Sequence, residues 1–143
     1  MINEIKKWFE LAKPNPTIED ACVQIGCHYE EVGEMAAVTG DPNLLFELNQ
    51  SAKEFKSKND VCIVDIECLK EGDKIELLDA LCDQIVTAVG VAHMLGMDIE
   101  GALKEVNRSN FSKFENGLPV FNGQGKIAKG KDYTPPSLER FVK

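Results

Sequence analysis

The stretch DKIELLDALCDQIVTAVGVAHML, residues 73–95, decides the fold because its apolar residues recur on several sides of a predicted helix. A helix turns about 100° per residue, so spacings of three, four and seven residues return to one face. Glu76, Asp79 and Asp83 therefore form one acidic stripe, while leucine, isoleucine and valine occupy the other sides. We expect a central helix that is packed on all sides, with these three carboxylates pointing into protein.

Buried carboxylates of this kind need a neutralising partner. Burying an ionised carboxylate alone costs several kcal/mol, whereas pairing it with a base or a metal ion offsets much of that cost. The stretch contains no lysine or arginine after Lys74. A hard cation with oxygen ligands fits the acidic stripe best, and we expect Mg²⁺, with Mn²⁺ as a substitute.

A second helix, predicted over residues 18–39, carries a further acidic group. Glu31 and Glu34 lie opposite its main apolar stripe, and Glu30 lies beside Glu34 at a spacing of four residues. Apolar residues flank the two glutamates, which favours a face that meets another helix in this chain or in a partner subunit. A solvated acidic face is the alternative, because the motif EEVGE is short.

Breaking and capping signals divide the rest of the chain into helices. Pro14-Asn15-Pro16 ends a first helix, Thr17 and Asp20 form a capping box, Gly40-Asp41-Pro42 precedes a third helix over 44–55, and Asp98 caps a helix over 99–111. Residues 59–72 have a mixed pattern, and we predict a helix there because an isolated strand has no pairing partner. The chain is expected to be all-α, a bundle of four to five helices.

The two ends of the chain differ in charge and regularity. Glycine and proline interrupt every periodicity after residue 114, so we predict a single domain with a helical body over 1–114 and an extended basic tail over 115–143. Residues 107–143 carry seven basic and three acidic side chains, although the whole chain has a net charge of −8. This division suits an anionic ligand that brings divalent cations. The overall charge of −8 argues against nucleic acid as a partner of the whole molecule. Without a ligand or a partner surface, the Gly- and Lys-rich stretch GQGKIAKGKDY, residues 123–133, is expected to be disordered.

The composition also gives expectations for the cellular compartment and for one lysine-rich turn at the surface. The five cysteines form no C-x-x-C pair and are expected to be small buried residues in a reducing cytoplasm. No signal peptide or membrane span is apparent, so we expect a soluble, cytoplasmic protein without a membrane partner. Three lysines at the end of the third helix, Lys53, Lys56 and Lys58, are expected to form a solvated basic turn.

The acidic motifs also carry a family resemblance. EEVGE at 30–34, ELLDALCD at 76–83 and GMDIEGALKEVNRSNFSKF at 96–114 resemble the MazG-like all-α nucleotide pyrophosphohydrolases, whose relatives include phosphoribosyl-ATP pyrophosphohydrolase and the dimeric dUTPases. The tail GQGKIAKGKDYTPPSL, residues 123–138, is similar to the ending of one MazG-like subset and is the more specific signal. The resemblance covers most of the chain between residues 18 and 114.

The resemblance implies hydrolysis of a nucleoside triphosphate between its α and β phosphates, which gives the monophosphate and pyrophosphate. It implies that the Mg²⁺ ligands are Glu31, Glu34, Glu76 and Asp79, with Asp83 as a further ligand or as an acid behind them. A carboxylate not fully used as a ligand, Glu30 or Glu31, is the expected general base. The implied substrate-binding residues are Asn107, Asn110, Lys113, Lys126, Lys129 and Tyr133.

Several alternatives stay open at this stage. The 41 residues between Glu34 and Glu76 exceed the usual connection of the family, which leaves the base specificity open. A strict dUTPase or a phosphoribosyl-ATP pyrophosphohydrolase would use the same scaffold, and a catalytically silent oligomer that binds a nucleotide or a protein is the non-enzymatic alternative. Both acid-bearing helices are apolar on more than one side, so we expect a homodimer or a homotetramer.

Overall fold

The computed structural model describes residues 1–123 and 125–142, so two residues of the predicted tail, 124 and 143, lie outside the described part. The helices are α1 (Ile2–Ala12), α2 (Ile18–Thr39), α3 (Pro42–Lys56), α4 (Asp60–Glu67), α5 (Glu71–Met94) and α6 (Ile99–Phe111), followed by a 3₁₀ turn at Glu139–Phe141. In this part of the chain, β-structure is limited to two isolated bridges. The all-α prediction is confirmed. The helix number of four to five is too low, since residues 1–123 and 125–142 contain six α-helices.

The helix starts follow the predicted side-chain caps. The Thr17 hydroxyl accepts a hydrogen bond from the backbone N–H of Asp20 at 3.2 Å, and the Asp20 carboxylate accepts one from the N–H of Thr17 at 3.0 Å. Asp41 and Asp98 cap α3 and α6 in the same way, at 3.0 Å and 2.9 Å. These bonds satisfy N–H groups that a helix leaves without intrahelical partners, which is why short polar residues mark the starts so well.

The chain divides into two compact units. Unit 1 comprises Met1–Pro14 and Asp73–Lys143, and unit 2 comprises Asn15–Gly72. In unit 2, α2 packs against α3 and α4, whereas in unit 1 α6 packs against α1 and the 3₁₀ turn. Each unit is described by itself below.

Unit 2 is organised by the close approach of α2 and α3. Cys22, Gly26, Gly33 and Ala36 are buried on one face of α2, and two of them, Cys22 and Ala36, belong to the predicted apolar stripe. A Cβ atom at Gly26 would lie 2.7 Å from the carbonyl oxygen of Ala52, so α3 can approach this closely only because residue 26 has no side chain. The sequence prediction did not identify the two glycines as part of this contact.

Unit 1 has a small aromatic core. Trp8 and Ala12 of α1 are buried together with Phe114, and Phe111 and Ile127 pack against them. The rings of Trp8 and Phe114 are stacked, with centroids 5.8 Å apart. The first residues of the chain and the start of the tail are thereby joined to the end of α6.

The five cysteines are free, as predicted, but they are not all buried. Cys22 and Cys62 are buried, whereas Cys68 and Cys82 are exposed. Burial raises the pKa of the Cys22 thiol, with a smaller contribution from nearby Cys62. The expectation of burial is therefore wrong for Cys68 and Cys82.

None of the helices in residues 1–123 and 125–142 combines the length and apolar character that a membrane span needs.

The contact at Gly26 gives the first prediction. Gly26→Ala should lower the free energy of unfolding by about 1–3 kcal/mol, because the new methyl group forces α2 and α3 apart. Gly33→Ala is the matched control, since its Cβ would meet the nearest atom, in Leu45, at an ordinary 3.5 Å. It should be neutral or stabilising by about 0.5–1 kcal/mol. Urea denaturation measures both variants, and equal effects would contradict the close approach.

Candidate functional site

The acidic stripe lies on α5 as predicted, but its surroundings differ from the prediction. Residues 71–89 are all exposed, including Glu76, Asp79 and Asp83, and Ala92 is the buried residue of this helix. The expectation of a helix packed on all sides is therefore wrong for the single chain. The helix pair that packs in unit 1 is α1 with α6, so water reaches the three carboxylates and no charge has to be buried.

An apolar stripe runs beside the acidic one on α5. Its members, which we call the α5 apolar stripe, are Ile75, Leu78, Cys82, Val86 and Val89, at helical spacings of three and four. They are exposed, and Leu78 and Val86 expose 64% and 66% of their surface. A continuous apolar surface of this kind is unusual on an isolated chain and typical of a protein contact.

The acids of α2 have two different environments within unit 2. Glu31 and Glu34 are exposed, whereas Glu30 is partly buried and accepts a hydrogen bond from the Lys56 ammonium at 2.8 Å. The Lys58 ammonium pairs with Glu19 at 3.0 Å. The prediction that these lysines form a solvated turn is therefore wrong for Lys56 and Lys58, because both reach back to carboxylates of α2.

The predicted metal ligands are divided between the two units. Glu31 and Glu34 belong to unit 2, and Glu76, Asp79 and Asp83 belong to unit 1. In the described residues, no three His, Cys, Asp or Glu side chains form a group that could hold a metal ion. The Mg²⁺ site therefore stays a prediction. The donor type itself is suitable, since carboxylate oxygens are the ligands that Mg²⁺ prefers.

Four of the predicted substrate-binding residues belong to a network at the end of α6. The Lys113 ammonium donates to the side-chain oxygen of Asn110 at 2.8 Å, and the backbone N–H of Gly130 donates to the carbonyl oxygen of Lys113 at 3.0 Å. The Lys129 ammonium lies 4.8 Å from the centre of the Tyr133 ring. We call Asn110, Lys113, Lys129 and Tyr133 the basic cluster.

Trp8 of α1 also contributes to this region. The Lys113 ammonium lies 6.0 Å from the centre of its ring, within range of a cation–π interaction. Its indole N–H is buried and has no acceptor among the described residues. Helical periodicity gives no signal for such a contact, because Trp8 and Lys113 are far apart in the sequence.

The other two predicted substrate-binding residues have different surroundings. Lys126 lies in a tight turn, where its backbone N–H donates to the side-chain oxygen of Asn122 at 3.0 Å. Asn107 is nine-tenths buried and lines a groove between α1 and α6. Its side-chain oxygen has no hydrogen-bond donor in the described part of the chain.

Hydrogen bonds join residues 134–137 of the tail, which follow the stretch expected to be disordered, to α6. The Arg108 guanidinium donates to the Thr134 hydroxyl at 2.6 Å, and the Ser109 hydroxyl donates to the Thr134 carbonyl oxygen at 2.8 Å. The backbone N–H of Ser137 donates to Glu105 at 3.1 Å. Polar side chains of α6 supply partners that the composition of the tail does not reveal.

Glu105 is the central acceptor of this tail contact. Two nitrogens of Arg108 donate to its two oxygens at 2.9 Å and 2.8 Å, and Ser137 adds a backbone donor. The hydrogen bonds from Arg108, followed by that from Ser137, lower the pKa of the Glu105 carboxyl to about 2. The carboxylate is therefore strongly held in its ionised form.

Comparison of the chain with protein-family models, with curated proteins and with solved structures finds no match. The resemblance to the MazG-like enzymes therefore rests on the motifs alone.

The tail contact makes a pH-dependent prediction. The pKa of Glu105 is about 2 in the folded chain against an ordinary 4.5, so its contribution to stability is complete above pH 4.5 and is lost as the pH falls towards 2. Glu105→Gln should lower the melting temperature at neutral pH and should reduce its fall between about pH 4.5 and 2. Asp132→Asn, at an exposed tail residue, is the charge-matched control. If both variants lose stability in parallel with the parent, Glu105 does not hold the tail.

Proposed function

We propose that this protein is a Mg²⁺-dependent nucleoside triphosphate pyrophosphohydrolase, which gives a nucleoside monophosphate and pyrophosphate. The contrast between two sets of carboxylates supports this proposal most. Lysine or arginine binds the acids of the first set, which are Glu19, Glu30, Glu100 and Glu105. The acids of the second set are exposed, and no described residue forms a hydrogen bond or ion pair with their carboxylates. They include Glu34, Glu76, Asp79 and Asp83, together with acids outside the proposed site such as Glu47 and Asp65.

The second set contains most of the predicted metal ligands. A carboxylate whose oxygens already accept from an ammonium or guanidinium group has fewer lone pairs for a cation, whereas a hydrated one exchanges water for a metal. Glu76 and Asp79 present oxygen donors from successive turns of α5. In the proposal, these two residues and the α2 acids Glu31 and Glu34 hold the metal, with Asp83 next to them.

When bound, Mg²⁺ would neutralise the phosphate charge and lower the pKa of an attacking water. Glu31 is the proposed base; the carboxylate of the alternative, Glu30, accepts a hydrogen bond from the Lys56 ammonium. Glu31 takes a proton from water while the water oxygen bonds to phosphorus. The bond from that phosphorus to the oxygen bridging the α and β phosphates then breaks. The water oxygen stays on the attacked phosphorus, the bridging oxygen leaves with the other phosphate group, and Glu31 releases its proton to solvent.

The basic cluster is the proposed partner of the phosphates. Lys113 and Lys129 provide positive charge, and Asn110 and Tyr133 provide polar groups beside them. Charge-assisted hydrogen bonds to phosphate oxygens are stronger than neutral ones and stabilise the charge that develops on a leaving pyrophosphate. Unit 1 thus contains two of the groups that the proposal needs, the acidic stripe to hold the metal and the basic cluster to bind the phosphate groups of the substrate.

The metal ligands give the decisive prediction. Asp79→Asn or Glu34→Gln should lower pyrophosphate release at least about 100-fold, because each removes a charged ligand without changing the size of the side chain. Asp65→Asn is the control, since this exposed acid of α4 lies outside the proposed site. Full activity in both ligand variants would contradict the assignment.

The assay should measure pyrophosphate release from dATP, dCTP, dGTP, dTTP, dUTP, ATP and phosphoribosyl-ATP, with Mg²⁺ and with EDTA. Metal-dependent release from several triphosphates supports the general activity, whereas cleavage of dUTP or phosphoribosyl-ATP alone identifies a strict enzyme. Mg²⁺ should also raise the melting temperature, because it binds the folded chain. Failure to cleave any substrate, together with an unchanged melting temperature, would overturn the hydrolase proposal in favour of a non-catalytic oligomer.

We also propose that a second copy of the chain covers the α5 apolar stripe, as a homodimer or within a homotetramer. A hydrated apolar stripe on a 24-residue helix favours association, since covering it removes apolar surface from water. The stripe contains no charged residue, which suits the core of a contact between identical copies.

Charge introduced into the stripe should dissociate the oligomer. Leu78→Glu and Val86→Glu should each shift the mass in solution to that of one chain, because the new carboxylate would be desolvated at the contact. Val61→Glu is the matched control, as this residue of α4 is equally exposed, at 65%, but lies outside the stripe. Light scattering after size exclusion measures the mass. A parent protein that is already monomeric at micromolar concentration would overturn this second proposal and leave the hydrolase assay to decide the first.

A further inference from the structure

Two buried cysteines lie on helices that pack together in unit 2. Cys22 of α2 exposes none of its surface, and Cys62, the buried residue of α4, exposes 8%. Because α4 packs against α2, the buried Cys62 lies on the face of α4 that meets α2. Both side chains are free thiols. Each of the two helices thus buries one thiol.

An ion pair fixes the two elements relative to each other beside these thiols. The ammonium of Lys58, just before α4, lies 3.0 Å from the carboxylate of Glu19 in α2. Cys22 follows Glu19 by three residues, and Cys62 follows Lys58 by four. Each thiol therefore lies about one helical turn beyond the ion pair, at the same level of the contact between α2 and α4.

The electrostatic environment of Cys22 agrees with this placement. Burial raises the pKa of the Cys22 thiol, and the next largest contribution comes from Cys62. Glu19 and Glu67, the last residue of α4, raise this pKa further. Such effects weaken with distance, so they place α4 alongside Cys22. Because its pKa is raised, Cys22 is a protonated thiol and a weak nucleophile towards an oxidant.

Cys62 differs from Cys22 in its access to solvent. Part of its surface is exposed, and α4 has only 8 residues, whereas α2 has 22. A helix of about two turns is marginal without its packing contacts, so α4 opens locally more readily than α2. An oxidant small enough to enter such an opening meets Cys62 first.

We propose that Cys22 and Cys62 form an oxidation site, at which a small peroxide converts the two thiols into a disulfide that joins α2 to α4. With hydrogen peroxide, the Cys62 sulfur attacks one oxygen, the O–O bond breaks, and water leaves while the sulfur becomes a sulfenic acid. The Cys22 sulfur then displaces the sulfenic oxygen as a second water, which forms the S–S bond. The two sulfurs are oxidised, the peroxide is reduced to two waters, and these waters take up both thiol hydrogens.

The disulfide closes the segment between residues 22 and 62, which contains α3 and the α2 acids Glu31 and Glu34. A crosslink of this kind stabilises a folded chain mainly by restricting the unfolded one. Unit 2 is therefore more stable under oxidising conditions than under reducing ones. The site does not depend on the proposed hydrolase activity, because its formation needs neither a metal ion nor a nucleotide.

The test is oxidation of the full chain with hydrogen peroxide, followed by alkylation of the remaining thiols in denaturant and peptide mapping by mass spectrometry. We expect a linked pair of peptides that contains Cys22 and Cys62. The melting temperature should rise by about 5–10 °C, and dithiothreitol should reverse both changes. Recovery of Cys22 and Cys62 as alkylated thiols, or a link from Cys22 to Cys68 instead, would overturn the proposal.

Matched variants identify the two sulfurs. Cys22→Ala and Cys62→Ala should each abolish the linked peptides and the rise in melting temperature. Cys27→Ala, on the same helix as Cys22, and Cys68→Ala, at the exposed end of α4, should keep both. Circular dichroism compares the reduced variants with the reduced parent, and the peptide map of the parent decides the question if Cys22→Ala does not fold. A rise that persists in Cys62→Ala, or that is lost in Cys68→Ala, would contradict the assignment.

Discussion

The exposure of α5 is the constraint on which the proposed function depends. This helix presents an acidic stripe and the α5 apolar stripe side by side, and both are hydrated in the single chain. The two stripes are coupled physically, because covering the apolar residues removes water from the neighbouring carboxylates. Loss of water raises the cost of their negative charge and strengthens their attraction to a cation. In the proposed oligomer, a contact that covered the apolar stripe would therefore favour metal binding at the acidic one.

Some carboxylates of the chain are paired with lysine or arginine, and others are exposed to water. The difference depends on whether the carboxylate lies in a contact between elements of the chain. Glu30 and Glu105 lie in helix-to-helix or helix-to-tail contacts, where a charge without a partner would be costly, and each has a lysine or arginine beside it. Glu76 and Asp79 lie on exposed α5, where water provides the partner and no base is needed. A metal ion needs carboxylate oxygens with free lone pairs, and the ion-paired acids have fewer of them than the exposed acids.

Local chemistry in the sequence was sufficient to predict the helices. The capping box at Thr17 and Asp20, the cap at Asp98 and the break after Ala12 are interactions between near neighbours, and the structure contains all of them. Burial could not be predicted in the same way, since the periodicity of α5 describes which faces are apolar and not what covers them. The pairing of Glu30 with Lys56 and the contact at Gly26 likewise depend on how α3 folds back on α2.

For the candidate site, the sequence indicated the residue types better than their arrangement. Four of the predicted substrate-binding residues belong to the basic cluster, whereas Asn107 lines the groove between α1 and α6. The predicted metal ligands are divided between two units, and their meeting is a long-range property that no spacing within one helix can establish. The motifs therefore support a chemistry, but they do not by themselves define the geometry that would perform it.

The contact between the tail and α6 fixes the backbone next to Tyr133, a member of the basic cluster. Thr134 is held by Arg108 and Ser109, and its backbone N–H also donates to the Ser112 hydroxyl at 2.9 Å. Tyr133 is the preceding residue, so its backbone is fixed within one peptide unit of these bonds. Because Arg108 is itself oriented by Glu105, one turn earlier in α6, a local ion pair sets the position of a tail residue that the sequence alone would leave free.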